Sequence, residues 1–384
     1  MVTKQYDLLI IGGGVLGMFH AWQALEKGLR VAVLDRNKQA RGSSVQNFGQ
    51  VVPSGMNLKW QRYGRKSLEI YKSIQQQFDI SARQNGSVYI ASNEEEMTLL
   101  EELSAINRAQ DYPSQLLTAA ECLGRYEGLR SDYCEGGLFF PEEITLEPRT
   151  AIHRIRQYME EQKGLAYFPQ TLVTEIESLS NNCQIVASDG RLFFADQVLV
   201  CSGYEFQILF PEIFAQSDLQ AVKLQMLLLE SQPSQVIPGS ILTGLSIRRY
   251  ESFHECPSFA AIKAQEDPDS PAKKWSVHIL FKQALDGSII LGDTHEYADA
   301  AEAEALGSQV RDDMNRYMLD EAARIFDLQN WNVRETWLGT YSQCKNSDIF
   351  RHTIDGKIHL LTGIGGKGMT ASAGYAAYHI NDIV

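Results

Sequence analysis

The chain has 384 residues, with 35 lysine and arginine side chains against 48 aspartate and glutamate side chains, and a formal net charge of −13. Its 44% hydrophobic and 22% charged residues are typical of a globular protein of about two domains, which excludes disorder, collagen and a small disulfide scaffold. The acidic balance argues against nonspecific nucleic-acid binding, because a phosphate backbone is held by dense lysine and arginine. It also argues against a basic protein of the membrane surface.

The cysteines indicate neither a metal site nor a disulfide framework. No C-x-x-C pair occurs, whereas a zinc or iron–sulfur site needs clustered ligands. The apolar run 8–11 is too short for a signal-peptide core, and no later run reaches the roughly 18 apolar residues of a membrane span. We therefore expect no metal, no membrane span and reduced thiols in the cytoplasm. The thiols are Cys122, Cys134, Cys183, Cys201, Cys256 and Cys344.

The first predicted elements form a strand–helix–strand unit. Residues 6–11 are a continuous apolar run, as in a strand buried on both faces, and glycines follow it. Residues 15–27 have apolar positions near helical spacing, with Gly28 as a C-cap, and residues 30–34 form a second buried strand. This unit predicts a parallel, doubly wound sheet.

The remaining elements alternate between helical and strand-like patterns. Helices are predicted over residues 59–78, 94–108, 150–163 and 300–326, and from residue 369 onward. Strands are predicted over residues 86–91, 172–176, 183–187, 197–201, 223–229, 276–281, 288–291 and 358–362. The polar stretch 265–274 is predicted to be a surface loop. The expected fold class is α/β, or α+β overall.

A G-x-G-x-x-G motif stands between the first predicted strand and helix. Gly12 allows a tight turn, Gly14 lets a pyrophosphate approach the backbone, and Gly17 allows close helix–strand packing. Asp35 follows the second strand some 20 residues further on, where a carboxylate accepts hydrogen bonds from ribose hydroxyls. The pattern predicts a dinucleotide site at the positive end of the helix dipole, against the alternative of a merely tight turn. To the same site we assign the neighbours Val15, Leu16 and Arg36.

The first unit is common to NAD and FAD proteins, so the rest of the chain decides between them. A polar segment downstream is suited to pass a cofactor's ribityl and phosphate groups, or is an ordinary loop; its members are Ser43, Ser44, Asn47, Phe48 and Gly49. A second glycine-rich strand-to-helix turn consists of Gly363, Gly365, Gly366, Lys367, Gly368, Met369 and Thr370. It again presents backbone N–H groups and a positive helix end. A site completed so late in the chain favours FAD, whose reduced ring needs its anionic side stabilised.

The chain resembles the FAD-dependent amine and amino-acid oxidoreductases grouped with D-amino-acid oxidase, glycine oxidase and monomeric sarcosine oxidase. The resemblance spans nearly the whole chain, with anchors at 6–17, 35, 41–49, 146–148, 198–203, 337–339 and 355–370. More narrowly, it is similar to a bacterial branch associated with phosphonate breakdown, through residues 223–226, 249–253, 256–258, 277–280 and 292–297. On this basis we also assign to the cofactor Val173, Cys201, Ser202, Gly203, Trp337 and Gly339.

The motif positions predict how the domains are arranged. Because both ends of the chain contribute to the flavin site, we expect a discontinuous cofactor domain with an inserted substrate domain. The doubly wound, Rossmann-like FAD-binding domain is expected in residues 1–85, 145–215 and 335–384. The antiparallel-sheet substrate domain is expected in residues 86–144 and 216–334.

The resemblance implies that His278 and the pair Arg249–Tyr250 face the flavin ring from the substrate-domain sheet. From the residues alone, a histidine in an apolar strand is more often a hydrogen-bonded core residue. Arg248 and Arg249 would point to opposite faces of a strand, so only one of them enters a pocket. We choose Arg249 because an anion needs a fork of fixed donors; a solvated surface pair is the alternative.

Two further side chains are candidates for the substrate site. His295 and Tyr297 share one face of an extended segment, or belong to a turn packed beside Gly292. Lys367 would place a positive charge near the flavin pyrimidine, or would point into solvent.

Two departures from the family pattern bear on the substrate and on the flavin linkage. Relatives that act on simple amino acids often carry arginine two positions after the glycine of W-x-G, where this chain has Tyr341. An α-carboxylate substrate is therefore disfavoured. In sarcosine-oxidising relatives a cysteine in this neighbourhood carries the flavin, but Cys344 is offset by a few residues, so noncovalent FAD is predicted.

The predicted function is oxidation of a small primary or secondary amine with an acidic group, with aminoalkylphosphonates or their N-methyl derivatives favoured. The neutral amine gives hydride to flavin N5, and water hydrolyses the resulting imine to an aldehyde or ketone. Oxygen or another acceptor takes the electrons, and the protein is a monomer or small homo-oligomer. The alternatives are oxidation of glycine, sarcosine or a D-amino acid, an NAD(P)-linked dehydrogenase, and a non-catalytic flavoprotein.

Overall fold

The computed structural model describes residues 5–384. In this range the strands are β1 (Gln5–Ile11), β2 (Val31–Leu34), β3 (Gln50–Val51), β4 (Ser87–Ala91), β5 (Gln115–Thr118), β6 (Gly136–Phe140), β7 (Ile144–Thr145), β8 (Ala166–Phe168), β9 (Val173–Ser178), β10 (Cys183–Ala187), β11 (Leu192–Val200), β12 (Leu219–Leu229), β13 (Ser240–Leu242), β14 (His278–Gln283), β15 (Ile289–Asp299), β16 (Val333–Cys344), β17 (Phe350–Ile354) and β18 (Ile358–Thr362).

The α-helices in the same range are α1 (Val15–Glu26), α2 (Leu58–Gln77), α3 (Glu94–Ala109), α4 (Ala119–Arg125), α5 (Pro148–Gln162), α6 (Pro211–Ala215), α7 (Gly244–Ile247), α8 (Phe259–Lys263), α9 (Pro271–Lys274), α10 (Asp312–Ala323) and α11 (Gly368–His379). The 3₁₀ segments are Pro53–Gly55, Glu251–Glu255, Ala300–Leu306, Gly365–Lys367 and Ile380–Asp382.

The first sheet has the predicted strand–helix–strand unit at its centre. Its main path runs β17-β18-β11-β1-β2-β8, and β10 and β9 join it through β11. The pairs from β18 to β8 are parallel, whereas β17 and the β9–β10–β11 meander pair antiparallel. Residues 8–11 of β1 are all apolar and buried, as expected for a central strand covered on both faces. The predicted parallel unit is confirmed.

Small residues let α11 pack closely against α2. The buried positions of α11 include Ala371, Ala373 and Ala376, and α11 contacts both α1 and α2. A Cβ at Gly374 would overlap the backbone carbonyl oxygen of Tyr63 in α2, so only glycine fits at this approach. This packing holds the glycine-rich turn that precedes α11 beside the first sheet.

The second sheet follows the order β16-β12-β15-β14-β13-β4-β6-β5. Its neighbouring strands are antiparallel, apart from the parallel pair β13–β4. Met226 of β12 pairs with Asp293 of β15, and the next residue, Leu227, pairs with Leu291. Gly292 is therefore the extra residue of a β-bulge, a device that re-aims neighbouring side chains.

Three predicted elements differ from the structure. The helix predicted over 300–326 is divided into Ala300–Leu306 and α10, because Gly307, with φ of +57°, interrupts it. The stretch 265–274 contains the short helix α9 as well as loop. Arg248 and Arg249 follow the short helix α7 and do not lie on a strand.

The strands of each large sheet come from separate parts of the chain, in the order expected for a discontinuous cofactor domain. One strand, β16, lies in a different sheet from the one expected. β16 pairs with β12 in the second sheet, although the last cofactor segment was expected to begin at residue 335. The small third sheet consists of β3 and β7. The domain boundaries themselves stay a prediction. Within residues 5–384, no helix is both long enough and apolar enough to cross a membrane.

Candidate functional site

A cavity of about 710 Å³ is lined by segments of both large sheets. The loops after β1 and β2 and the turn before α11 line one side, and β12, β14, β15 and β16 line the other. A smaller cavity of about 160 Å³ shares five lining residues with it, namely Gly14, Ser43, Ser44, Cys201 and Gly203. Two adjacent cavities of unequal size suit an elongated ligand.

Most of the predicted site residues line one of these cavities. Predicted cofactor residues in the larger cavity are Gly14, Val15, Leu16, Gly17, Ser43, Ser44, Asn47, Phe48, Cys201, Gly203, Gly363, Gly365, Gly366, Lys367, Gly368, Met369 and Thr370. The smaller cavity adds Gly12, Asp35, Arg36, Val173 and Ser202. The predicted substrate residues Arg249, Tyr250, His278 and His295 also line the larger cavity.

Three predicted cofactor residues, Gly49, Trp337 and Gly339, line neither cavity. A Cβ at Gly49 would overlap the carbonyl oxygen of Leu146, so this glycine serves the packing of its own loop. The indole of Trp337 instead lies against the guanidinium of Arg149, 4.9 Å from the ring centre. Gly339 makes room for the neighbouring strand and for the loop before Asn47. Their assignment to the cofactor is corrected on this ground.

The glycines of the first glycine-rich turn have two different roles: some are required by the packing of the fold, and one leaves space for a ligand. A Cβ on Gly12 would overlap the carbonyl oxygen of Cys201, and one on Gly17 would overlap that of Gly12, so the fold requires both glycines. A Cβ on Gly14 would meet only Ser44 Oγ, at 3.0 Å. Glycine at this position therefore leaves a path by which a ligand reaches the backbone N–H groups of α1.

The Asp35 carboxylate is fixed at the end of β2 by two backbone N–H groups. Gly13 N–H donates to Oδ2 and Asn37 N–H to Oδ1, each at 2.7 Å. The neighbouring Arg36 pairs with Glu205 at 2.6 Å. Each carboxylate oxygen of Asp35 keeps a second lone pair, which suits the hydroxyls of a ribose.

The N-cap residues of the two helices that begin at the larger cavity, Gly14 for α1 and Lys367 for α11, give no side-chain hydrogen bond. In α1 the N–H of Val15 already donates to Ser44 Oγ at 2.9 Å, and in α11 the 3₁₀ segment Gly365–Lys367 leads directly into the helix. The positive ends of both helix dipoles still lie at the cavity, and such ends attract anions. With the open approach at Gly14 and the two adjacent cavities, the residues fit FAD. Gly14 and α1 would hold the pyrophosphate, Asp35 the ribose, and the turn before α11 the flavin.

Lys367 enters the larger cavity as half of an ion pair. Its Nζ donates to Glu251 Oε1 at 2.6 Å and lies 5.4 Å from the centre of the Trp60 ring. Glu251 also accepts a hydrogen bond from Asn57 Nδ2 at 2.8 Å. The ion pair ties the turn before α11 to the 3₁₀ segment that begins at Glu251. The two predicted alternatives for Lys367, a positive charge near the flavin pyrimidine or a side chain in solvent, did not include this partner.

Alternate residues of β15 place three polar side chains on the larger cavity. They are Asp293, His295 and Tyr297, which share a face because side chains two apart point the same way. β14 adds His278, whose Nδ1 lies 3.7 Å from Asp293 Oδ1, and β16 adds Tyr341. His278, Asp293 and His295 are 6%, 7% and 7% exposed, so this wall is polar and nearly dry.

Arg249 joins this wall from the segment after α7. Its Nη1 donates to the carbonyl oxygen of Ser276 at 2.5 Å, and its Nη2 donates to the Tyr297 hydroxyl at 3.0 Å. Arg248 instead pairs with two glutamates of α3, at 2.9 and 2.8 Å. Arg249 thus lines the cavity and Arg248 does not. The argument from opposite strand faces is nevertheless wrong, because the two arginines lie between short helices.

Burial controls the ionisation of this wall. It raises the pKa of Asp293 to about 7, although the positive charge of Arg249 acts in the opposite direction. Burial, together with the charge of Arg249, holds the pKa values of His278 and His295 well below 6.5. Near neutral pH both imidazoles are therefore uncharged, and the carboxyl group is the one that titrates.

A second buried carboxyl group, that of Glu143, ties the cavity rim to the second sheet. It accepts hydrogen bonds from Ser54 N–H at 2.7 Å, from the Tyr112 hydroxyl at 2.6 Å, and from the Ser54 and Ser87 hydroxyls. Ser54 precedes Gly55, which lines the larger cavity. Burial raises the pKa of Glu143 to about 7, although its hydrogen bonds favour the charged form.

We expect Glu143→Gln to change how stability depends on pH. The folded pKa lies above the ordinary value of 4.5, so the native state keeps a proton that the unfolded chain releases. The contribution of this group is therefore present below about pH 4.5 and lost as the pH rises through about 7. Glutamine does not titrate, so the wild-type-minus-variant difference in unfolding free energy should fall by on the order of 3 kcal/mol over this interval.

Urea unfolding of both proteins at saturating FAD, from about pH 4.5 to about pH 8, measures this difference. A difference that stays constant with pH would mean that Glu143 is ionised in the native state.

The comparison with known families decides the class of this protein. The family of FAD-dependent oxidoreductases known as DAO matches residues 7–380. The chain belongs to this family. FAD, the cofactor of this family, is also the ligand that the two adjacent cavities of this oxidoreductase fit. The expected FAD and the expected α/β fold class are confirmed.

Known relatives of this oxidoreductase are distant in sequence. One of the subunits of opine oxidase from Rhizobium meliloti is 23% identical over 351 residues, which cover 87% of this chain and 81% of that protein. The crystal structure of glycine oxidase from Geobacillus kaustophilus has a TM-score of 0.77 at 16% identity, covering 100% of this chain and 96% of that one. The L-proline dehydrogenase of P. horikoshii has a TM-score of 0.79 at 15% identity, covering 99% and 94%. The two structures establish the shared fold.

Sequence reasoning missed four charged residues of the larger cavity, namely Glu251, Asp293, Lys345 and Asp348. Asp293 shares a face of β15 with His295, so alternation counted back from the histidine was the signal that could have found it. Glu251 offered no local signal, because its partner Lys367 is distant in sequence and meets it only in the fold.

Proposed function

We propose that this oxidoreductase oxidises a small primary or secondary amine that also carries an acidic group. The observation that carries the proposal is the guanidinium of Arg249 on the cavity wall, fixed by the Ser276 carbonyl and by Tyr297. Its Nη1 also lies 3.3 Å from His295 Nδ1, and a guanidinium with five N–H donors has more of them than these contacts use, which suits an anion in the cavity. The resemblance to the phosphonate branch favours aminoalkylphosphonates or their N-methyl derivatives as the substrates.

The chain's own residues would bind the substrate and exclude water. When bound, FAD supplies the acceptor for the hydride of the C–H bond next to the amine nitrogen. Arg249 would hold the acidic group, while Met226 and Leu280 give the cavity apolar surface beside the polar wall. In such a nearly dry site, charge-assisted hydrogen bonds orient the substrate more strongly than in water.

Noncovalent binding of FAD is part of the proposal. Cys344 lines the larger cavity, but burial raises the pKa of its thiol to about 11, so the thiolate needed to attack a flavin is scarce at neutral pH. All six cysteines are buried and unpaired, which supports a reducing, cytoplasmic location. Oxygen or another acceptor would reoxidise the flavin, and the protein would act as a monomer or small homo-oligomer.

A second candidate substrate is a small amino acid. The relatives named glycine oxidase and L-proline dehydrogenase favour this choice and support a C–N bond as the bond oxidised. Tyr341 argues against a small amino acid as the substrate, because relatives that bind an α-carboxylate often have arginine at this position.

Anaerobic mixing of the yellow protein with a panel of amines tests the proposal. The panel contains 2-aminoethylphosphonate, its N-methyl derivative, glycine, sarcosine and D-alanine. We expect a phosphonate to bleach the flavin fastest, because Arg249 offers donors for the anionic end and Tyr341 stands where relatives that bind an α-carboxylate often have arginine. Faster bleaching by glycine, sarcosine or D-alanine would favour the second candidate, and no bleaching by any amine would reject amine oxidation.

A further inference from the structure

We propose that the carboxylate of Asp293 binds the substrate ammonium and takes a proton from it, between the imidazoles of His278 and His295. The inference rests on the proposed function, because it needs an amine in the cavity. An amine gives hydride only from its neutral form, whereas free amines with ordinary pKa values near 10 are mostly protonated at neutral pH. A group that removes one proton therefore decides how much of the bound substrate reacts.

Asp293 lines the larger cavity, and its buried Oδ1 has no hydrogen-bond partner among the described residues. The β-bulge at Gly292, with φ of +45°, directly precedes it and sets its direction. Its Oδ1 lies 3.7 Å from His278 Nδ1 and its Oδ2 lies 3.8 Å from His295 Nε2, both beyond hydrogen-bond distance. No described residue gives Oδ1 a hydrogen bond. A buried carboxylate without donors is costly, and the N–H groups of an ammonium would satisfy it.

Two groups contact Nδ1 of His295. The carbonyl oxygen of Ser276, whose backbone has φ of +46°, lies 3.0 Å from Nδ1 and also accepts a hydrogen bond from Arg249 Nη1 at 2.5 Å, while Arg249 Nη1 lies 3.3 Å from Nδ1. Because a carbonyl only accepts, the shorter contact favours the tautomer with the hydrogen on Nδ1. Nε2 then carries its lone pair 3.8 Å from Asp293 Oδ2, so a protonated Asp293 must move closer before His295 can accept its O–H.

The proton transfer balances without any further reactant. An N–H bond of the ammonium breaks, its electron pair stays on nitrogen, and the proton forms an O–H bond with the Asp293 carboxylate. The products are a neutral amine and a carboxylic acid. The carboxyl group titrates near neutral pH, which is where a proton acceptor works best.

The charges around Asp293 favour a substrate that is cationic at one end and anionic at the other. The titratable and charged groups that face Asp293 or its two imidazoles are His278 on β14, His295 and Tyr297 on β15, Tyr341 on β16, Arg249 and Tyr250 after α7, and Lys263 on α8. Arg249 is the cation for the acidic group, and Asp293 is the anion for the ammonium.

The pH profile of Asp293→Asn tests the inference. With N-methyl-2-aminoethylphosphonate as the probe, kcat/KM of the wild type should rise to a plateau through a pKa near 7, set by the carboxyl group. In the variant the rise should move towards about pH 10, the range of the free amine. The loss should be on the order of 10²–10³-fold near pH 7 and should shrink to less than about tenfold near pH 10.

A matched control separates this effect from a general loss of charge on β15. Glu296 lies on the opposite face of the same strand and pairs with Lys223 at 2.7 Å. Glu296→Gln makes the same carboxylate-to-amide change and should leave the pH profile unchanged. The FAD content of each variant, read from its absorbance, shows whether the site is intact, and Asp293→Ser replaces Asp293→Asn if the latter loses FAD.

An infrared measurement tests the inference without turnover. The difference spectrum between about pH 5 and about pH 9 should contain protonated carboxyl bands of both Asp293 and Glu143, because burial raises the pKa of each to about 7. Subtracting the Asp293→Asn spectrum from the wild-type spectrum should leave the Asp293 band, which Glu296→Gln keeps. If the probe does not reduce the wild-type flavin, the proposed function fails. If that subtraction leaves no carboxyl band, the role of Asp293 is overturned as well. If the probe reduces the flavin but Asp293→Asn keeps the wild-type profile, Asp293 is not the proton acceptor.

Discussion

Gly14→Val should yield a folded protein that has lost its FAD. A Cβ at this position meets only Ser44 Oγ at 3.0 Å, so the fold accommodates a side chain by a small shift. The added methyl groups would instead occupy the path of a pyrophosphate to the first turn of α1. If two charge-assisted hydrogen bonds of about 1.5–3 kcal/mol each are lost, FAD binding should weaken by roughly 10²–10⁴-fold.

The measurement is FAD content after gel filtration, with circular dichroism to show that the fold is kept. Gly124→Val is the matched control, because a Cβ at Gly124 in α4 meets nothing within 4 Å and the position lies outside both cavities. The control should retain FAD. Near-normal retention by Gly14→Val would remove Gly14 from the phosphate path.

Arg249→Met should discriminate against anionic substrates. Methionine keeps much of the side-chain volume but removes the donors that would bind the acidic group. We expect kcat/KM for N-methyl-2-aminoethylphosphonate to fall about 100-fold, the loss of one strong charge-assisted interaction of about 3 kcal/mol. The value for N-methylpropylamine, which replaces the phosphonate by a methyl group, should change less than about threefold.

The adjacent Arg248→Met is the control for this prediction. Arg248 forms ion pairs with Glu95 and with Glu96, and Glu96 is only 3% exposed. Replacing Arg248 leaves the buried carboxylate of Glu96 without its ion-pair partner and should cost about 3 kcal/mol of stability. It should not change the preference between the two amines. Equal losses on both amines in Arg249→Met would place Arg249 outside the acidic-group site.

Local patterns predicted the cofactor side of the protein well. The apolar runs of β1 and β2 and the spacing of Gly12, Gly14 and Gly17 are properties of a short segment, and the structure keeps each of them. The late turn 363–370 could also be predicted from its local sequence, because a buried strand precedes its glycines and a small-residue helix follows them.

The substrate side was harder to predict because it depends on pairings between distant segments. The direction of Asp293 follows from a bulge that exists only in the register of β15 with β12. Lys367 and Glu251 meet only after folding. The motif Trp337-x-Gly339 was assigned to the cofactor, yet both residues lie outside the cavities, because a sequence motif does not reveal which neighbours its side chains meet.

The joining of early and late segments in one cavity has a consequence for synthesis on the ribosome. β1 has β2 beside it soon after translation begins, but its other neighbour β11 and then β18 arrive much later. Because the turn before α11 lines the flavin cavity, a nascent chain that stops short of it lacks part of the site. FAD is therefore expected to bind fully only after the turn at residues 363–370 has been made, and a chain cut before this turn should lose the yellow colour.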